Sequence, residues 1–232
     1  MTYPLFNIFN YILSVIISFF TAWRLQSYYK KSLLQLARHF RDMALSNGIG
    51  TIIYALTFVL FIGNPFALGI GSIIGGMFLL AAHIYGVVIF FYLTFPHISS
   101  KKIIIAGMIL VVLVTISHIK FLPYPEINEK GFVNFNFSPF SRAIFILFST
   151  AGLLPLSIAF IREAIREKHL RTRSGFLAFS FLFLVIANGL QSIVGPQLYI
   201  YAYLLIPTIA YIVIFIAVIL RVKASSVDTK TL

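Results

Sequence analysis

Few side chains in this sequence can do chemistry, and those that can are amides, hydroxyls and imidazoles set inside apolar stretches. Asn7, Asn10, Ser14, Ser18 and Thr21 recur every three or four residues, so on a helix they form one polar stripe. Asn188 and Gln191 stand at i and i+3 and share a face in the same way. His83, His118 and the run Tyr199, Tyr201, Tyr203 complete the set. Such groups offer hydrogen bonding, either to one another across helix contacts or to a ligand in a pocket. Catalysis finds little support. Cysteine is absent, and the six carboxylates (Asp42, Glu126, Glu129, Glu163, Glu167, Asp228) all fall outside the apolar stretches. A Ser–His–acid arrangement therefore lacks its acid. His83 and His118 have no second histidine at i+3 or i+4 and no carboxylate beside them, so neither reads as a metal ligand. The expectation is a non-enzymatic protein with no metal or other cofactor.

The elements that must position these groups are apolar and long. The chain is 60% hydrophobic and 10% charged, with mean hydropathy +0.98 and 25 Phe. A soluble domain carries about 25% charged residues, so this surface has too few charges to face water. A membrane-spanning helix needs about 20 mostly apolar residues. Seven segments qualify: Leu5–Trp23, Met43–Ile62, Ser72–Phe95, Ile103–Phe121, Ser141–Ile161, Ser174–Val194 and Leu198–Leu220. Gly71 and Gly75 form a small-xxx-small pattern that lets the third segment approach a neighbour closely, and Pro155 and Pro207 predict kinks.

The cations fall in every second gap between these segments. One side collects Arg24, Lys30, Lys31, Arg38 and Arg41, then Lys101 and Lys102, then Arg162, Arg166, Lys168, Arg171 and Arg173, then Arg221, Lys223 and Lys230. The other side has only Lys120, Lys130 and Arg142 of the 18 Lys and Arg residues. By the positive-inside rule this predicts an all-α, polytopic integral membrane bundle of seven transmembrane helices. Its N-terminus lies outside and its C-terminus in the cytoplasm. Residues 1–223 form the bundle and 224–232 a short tail. The first segment has its basic cluster after it, which marks a retained span rather than a cleaved signal peptide. The net charge of +12 sits beside spans, where anionic headgroups attract it, and no nucleic-acid recognition motif accompanies it.

The connections carry their own patterns. Tyr29, Leu33, Leu36 and Phe40 recur at helical spacing with Lys30, Lys31, Arg38 and Arg41 off the stripe. This predicts an amphipathic helix on the inner leaflet or continuous extensions of the first two spans. In the fifth connection Glu163 can meet Arg166 and Glu167 can meet Arg171, as on a projecting helix. The outer connection from Leu122 to Pro139 alternates after Asn128-Glu129-Lys130-Gly131, which predicts a small hairpin. Val133, Phe135 and Phe137 would share its face and form a lid over the bundle mouth.

Within this topology Asn10, His118, Asn188, Gln191, Tyr201 and Tyr203 fall in the outer half of the membrane, and His83 near the midplane. These seven are the candidate ligand-binding residues. The competing reading is interhelical hydrogen bonding with an outer tyrosine belt.

The basic connection Tyr28-Tyr29-Lys30-Lys31 through Arg41, the Arg-rich link Arg162 through Arg171-Thr172-Arg173 and the outer segment Glu129-Lys130-Gly131-Phe132 support a comparison. Together they make the chain resemble the seven-transmembrane sensor region of prokaryotic histidine kinases. The resemblance covers the bundle and implies a receptor-like sensor of an outer small-molecule ligand. Nine residues follow Lys223, so such a sensor would signal through a separate cytoplasmic or membrane partner. Microbial rhodopsins are a poorer comparison, because Leu198–Leu220 contains no lysine to hold retinal. The alternative is a small-solute transporter or channel-like protein whose path is lined by the stripe of the first span. Either belongs in the cell membrane as a multi-pass protein whose constant partner is the lipid bilayer.

Overall fold

A computed structural model describes residues 3–61, 63–120, 126–127, 133–134, 139–193 and 205–219. Seven helices lie among them: α1 Tyr3–Ser32, α2 Gln35–Phe61, α3 Pro65–Thr94, α4 Ser100–Lys120, α5 Pro139–Arg166, α6 Arg171–Ile193 and α7 Ile206–Ile219. Strands β1 (Glu126–Ile127) and β2 (Val133–Asn134) pair antiparallel, so the expected hairpin is present as a short ladder. Phe135 and Phe137, needed for the lid, lie outside the described residues.

Among the described residues, five helical segments are long and apolar enough to cross a membrane: Ile8–Lys31, Gln35–Phe61, Pro65–Thr94, Ser100–Lys120 and Arg171–Gly189. The surface agrees with that composition. Trp23, Leu60, Ile116, Ile119, Leu147 and Ile165 are between 57% and 69% exposed. A soluble monomer rarely leaves contiguous apolar surface on this scale open to water. The molecule is a helical bundle with a surface suited to lipid.

Neighbouring helices close a ring in the order α1, α2, α3, α5, α6, α7 and back to α1. α4 stands outside it, against α3 and the edge of α5. The ring is filled by Met43, Ile89, Leu153, Leu156, Phe160, Phe181, Leu184 and Ile214. Phe160 and Phe181 stack at 5.9 Å, with Phe40 6.0 and 6.3 Å from their centroids. That triad joins α2, α5 and α6. α4 buries only Gly107, Val111 and Val114 among its residues and turns Met108, Ile109, Leu113 and Ile116 outward.

Local chemistry sets the helix ends. Asn64 caps α3 by accepting from the Ala67 amide at 3.1 Å, and Pro65 occupies the first turn, where its missing N–H costs nothing. Between α1 and α2 the chain reverses at Leu33, whose φ of 54° is left-handed and costs a leucine roughly 1–2 kcal/mol. The first connection therefore consists of extensions of α1 and α2, and the amphipathic stripe has a different use. Leu36 and Phe40 pack onto the ring's core, while Leu33 is exposed. Arg41 Nε donates to Asp42 at 2.7 Å, its guanidinium also bonds Gln26 of α1, and it lies 5.9 Å from the Tyr29 ring centroid. α5 ends at Arg166, so Glu167 and Arg171 flank a turn instead of sharing a helix. Their expected pairing gives way to Glu167 with His169 at 3.5 Å. Pro155 lies inside α5, and Pro207 is the second residue of α7.

The closest approach is between α2 and α3. A Cβ added at Gly50 would lie 2.9 Å from the Gly75 carbonyl oxygen, and one at Gly75 would meet the Tyr54 ring at 2.7 Å. At Gly71 it would strike Thr57 at 2.2 Å. The small-xxx-small pattern thus serves this crossing, whereas Gly76 has ordinary clearance of 3.6 Å to the Tyr54 hydroxyl. Gly71→Leu and Gly75→Val should each destabilise the protein in detergent unfolding by about 1–3 kcal/mol. Gly76→Ala should be neutral or gain up to about 1 kcal/mol from helix propensity. Equal losses at Gly75 and Gly76 would contradict this packing.

Candidate functional site

Two seams of buried side-chain hydrogen bonds link the helices among the described residues. The first runs between α1, α2 and α7. The Thr208 hydroxyl donates to Asn10 Oδ1 at 3.5 Å and lies 3.5 Å from the Ser14 hydroxyl, both at the long limit for a hydrogen bond. Further along, Asn47 Nδ2 donates to Ser18 Oγ at 3.0 Å, and Tyr211 Oη donates to Asn47 Oδ1 at 2.6 Å. The Thr51 hydroxyl donates to the Asn47 carbonyl at 2.8 Å. One asparagine side chain therefore ties three helices. Of the stripe of α1, Asn10, Ser14, Ser18 and Thr21 are all buried, the Thr21 hydroxyl without a hydrogen-bond partner among the described residues, and the Asn7 side chain lies outside the described residues.

The second seam crosses the ring between α3 and α6. Nδ1 of His83 is 2.7 Å from the Leu79 carbonyl, and Nε2 is 3.1 Å from Nδ2 of Asn188. A carbonyl only accepts, so Nδ1 carries the proton and donates it. Nε2 then accepts from the Asn188 amide, which defines a neutral imidazole with both nitrogens engaged. Taking up a proton or an electrophile at Nε2 requires Asn188 to let go. Nearby, the Gly152 backbone packs against α3, where a Cβ would lie 3.0 Å from the His83 carbonyl oxygen. A third, smaller tie is the Ser157 hydroxyl donating to the Ala178 carbonyl at 2.8 Å between α5 and α6.

The candidate residues are thus distributed. His83 and Asn188 meet; Asn10 belongs to the other seam, with Thr208. His118 is half-buried on α4, outside the ring. Gln191 is in the last turn of α6, with its side chain outside the described residues, as are Tyr201 and Tyr203. Thr208 and Tyr211 escaped the sequence reading. Their i, i+3 spacing on α7 is the same signal that marked Asn188 and Gln191. The chain matches no protein-family model, and no curated protein matches it in sequence.

If His83 and Asn188 are a structural tie, their energies are coupled. A double-mutant cycle with His83→Phe and Asn188→Leu should give an interaction of about 0.6 kcal/mol, the mean for hydrogen bonds between membrane helices. Strictly additive effects on unfolding in micelles would show that the pair does not hold α3 to α6.

Proposed function

We propose that the protein is a non-enzymatic, receptor- or sensor-like protein of the cell membrane that reads an outer small-molecule ligand and passes the signal to a separate partner. In this reading all seven helices span the bilayer, with the N-terminus outside and the basic connections in the cytoplasm. The observation that carries it is the engagement of the interior amides. Asn10, Asn47 and Asn188 bond side chains of neighbouring helices, namely Thr208, Ser18 with Tyr211, and His83. A transport path needs polar groups turned towards water along its length. Here Asn10 and Ser14 of the α1 stripe meet Thr208 of α7 and Ser18 meets Asn47 of α2, which favours a switchable bundle over a conduit. A ligand that competes for one of these bonds changes the relation between two helices. Such a two-state element is what signalling across a membrane requires.

The basic inner surface is the exit for the signal. It carries Lys30, Lys31 and Arg38 on one connection and Arg162, Arg166 and Lys168 on another. Purified protein screened against small polar solutes should show a ligand that raises its melting temperature, and that ligand should not cross liposomes containing the protein. Asn188→Leu should abolish the shift. Solute flux through those liposomes would select the transporter instead. A reporter fused after Leu232 should be active in the cytoplasm, and export of it would overturn the orientation.

A further inference from the structure

The lipid-facing side of the α5–α6 pair is not smooth. An open groove of about 490 Å³ runs between the two helices near the basic end. Its walls are Ile161 and Ile165 on α5 and Phe179 and Leu182 on α6, and Arg171 stands at its rim. Small residues create it. Ala164 and Ala178 line it, and a Cβ added at Gly175 would find no atom within 4 Å. The volume is within the range of about 300–1,000 Å³ usual for small-molecule sites. The four apolar walls are between 37% and 69% exposed, so the groove opens to the bilayer.

Its rim has a charge and a geometry. Arg171 Nε donates to the Ala164 carbonyl at 3.4 Å, which lays the guanidinium across from α6 to the end of α5. A guanidinium has five N–H donors, and among the described residues nothing takes the other four. Arg162, Arg166 and Lys168 surround the same end and are exposed. The acids there are Glu163 and Glu167, so four cations outnumber two carboxylates at this end. Arg171 is also the first residue of α6, three positions before its apolar stretch, which in the proposed topology puts it by the headgroup phosphates.

We propose that this groove binds one anionic phospholipid of the inner leaflet, with its phosphate on Arg171 and one acyl chain between Ile161, Ile165, Phe179 and Leu182. Charge complementarity selects this occupant: the rim is cationic and the interior apolar, and only a molecule with both parts matches. The proposal rests on the membrane topology above, because it needs this end of α6 at a lipid headgroup layer.

The chain contains one tryptophan, Trp23, so brominated lipids can test the topology and the groove separately. In vesicles, Trp23 of the unsubstituted protein should be quenched by brominated phosphatidylcholine and phosphatidylglycerol alike. If it is not, the membrane reading fails and takes the groove with it. In the Trp23→Phe, Phe179→Trp protein, brominated phosphatidylglycerol should bind about five-fold more strongly than the choline lipid, as expected for one arginine at an anionic headgroup. Adding Arg171→Gln should erase that preference, and adding Gly175→Leu, which fills the groove, should remove most quenching. Equal quenching by the two lipids at Phe179→Trp, with Trp23 normally quenched, would overturn the site alone. No quenching there by either lipid, with a cross-linked dimer on gels, would give the groove to a second copy of the chain and also overturn it.

Discussion

In a bilayer, apolar contact between helices brings no hydrophobic gain, because lipid tails are as apolar as leucine side chains. What holds such helices together is close packing and the hydrogen bonding of polar groups that lipid cannot solvate. This bundle uses both. At Gly50, Gly71 and Gly75 the backbones of α2 and α3 come close enough that a single added Cβ would collide. At Asn47, Ser18 and Tyr211 three helices share one set of hydrogen bonds. The ring order of the helices follows from these contacts, since α1 has α2 on one side and α7 on the other and touches both through its polar stripe. α4 buries no amide among the described residues. It lies outside the ring, with Gly107, Val111 and Val114 buried against its neighbours.

The same constraint shapes the functional reading. An amide that stabilises a bundle by bonding across a helix contact is also a group a ligand can recruit, because breaking one bond and forming another costs little net energy. The His83–Asn188 pair has this character most clearly. Its tautomer is defined by the Leu79 carbonyl, and its second nitrogen depends on a helix on the far side of the ring. By contrast, Ser72, Thr115 and Ser180 spend their hydroxyls on carbonyls three or four residues back in their own helices. Those groups carry no information between helices.

Much of the fold was legible in the sequence. Helices lie on the apolar stretches, α7 covering Ile206–Ile219 of the seventh, Gly71 and Gly75 mark a close crossing, and the alternation after Gly131 predicts the β1–β2 pair. All of these are local signals, written within one turn or one strand. The pairing of His83 with Asn188 was not legible, because nothing in either helix states which of six others it will face. Spacing could place Asn10 and Asn188 at similar depth, but depth is one coordinate and ring position is the other. The expected Glu167–Arg171 pair failed for a related reason. Four-residue spacing brings charges together only while the helix continues, and α5 ends at Arg166. Of the stripe Tyr29, Leu33, Leu36 and Phe40, the chain reverses at Leu33, so the expectation of extended first and second helices holds, and Leu36 and Phe40 pack onto the protein core.

The functional reading depends on Asn10, Ser14 and Ser18 of α1 being closed by hydrogen bonds to α2 and α7 instead of lining water. Because the chain has no cysteine, single substitutions can report this without background. Ser14→Cys and Ser18→Cys, in vesicles open on both sides, should resist a charged thiosulfonate that rapidly modifies Ser99→Cys in the exposed α3–α4 connection. Modification of Ser18→Cys at a rate approaching that of Ser99→Cys would mean a water-filled path along α1 and would contradict the account.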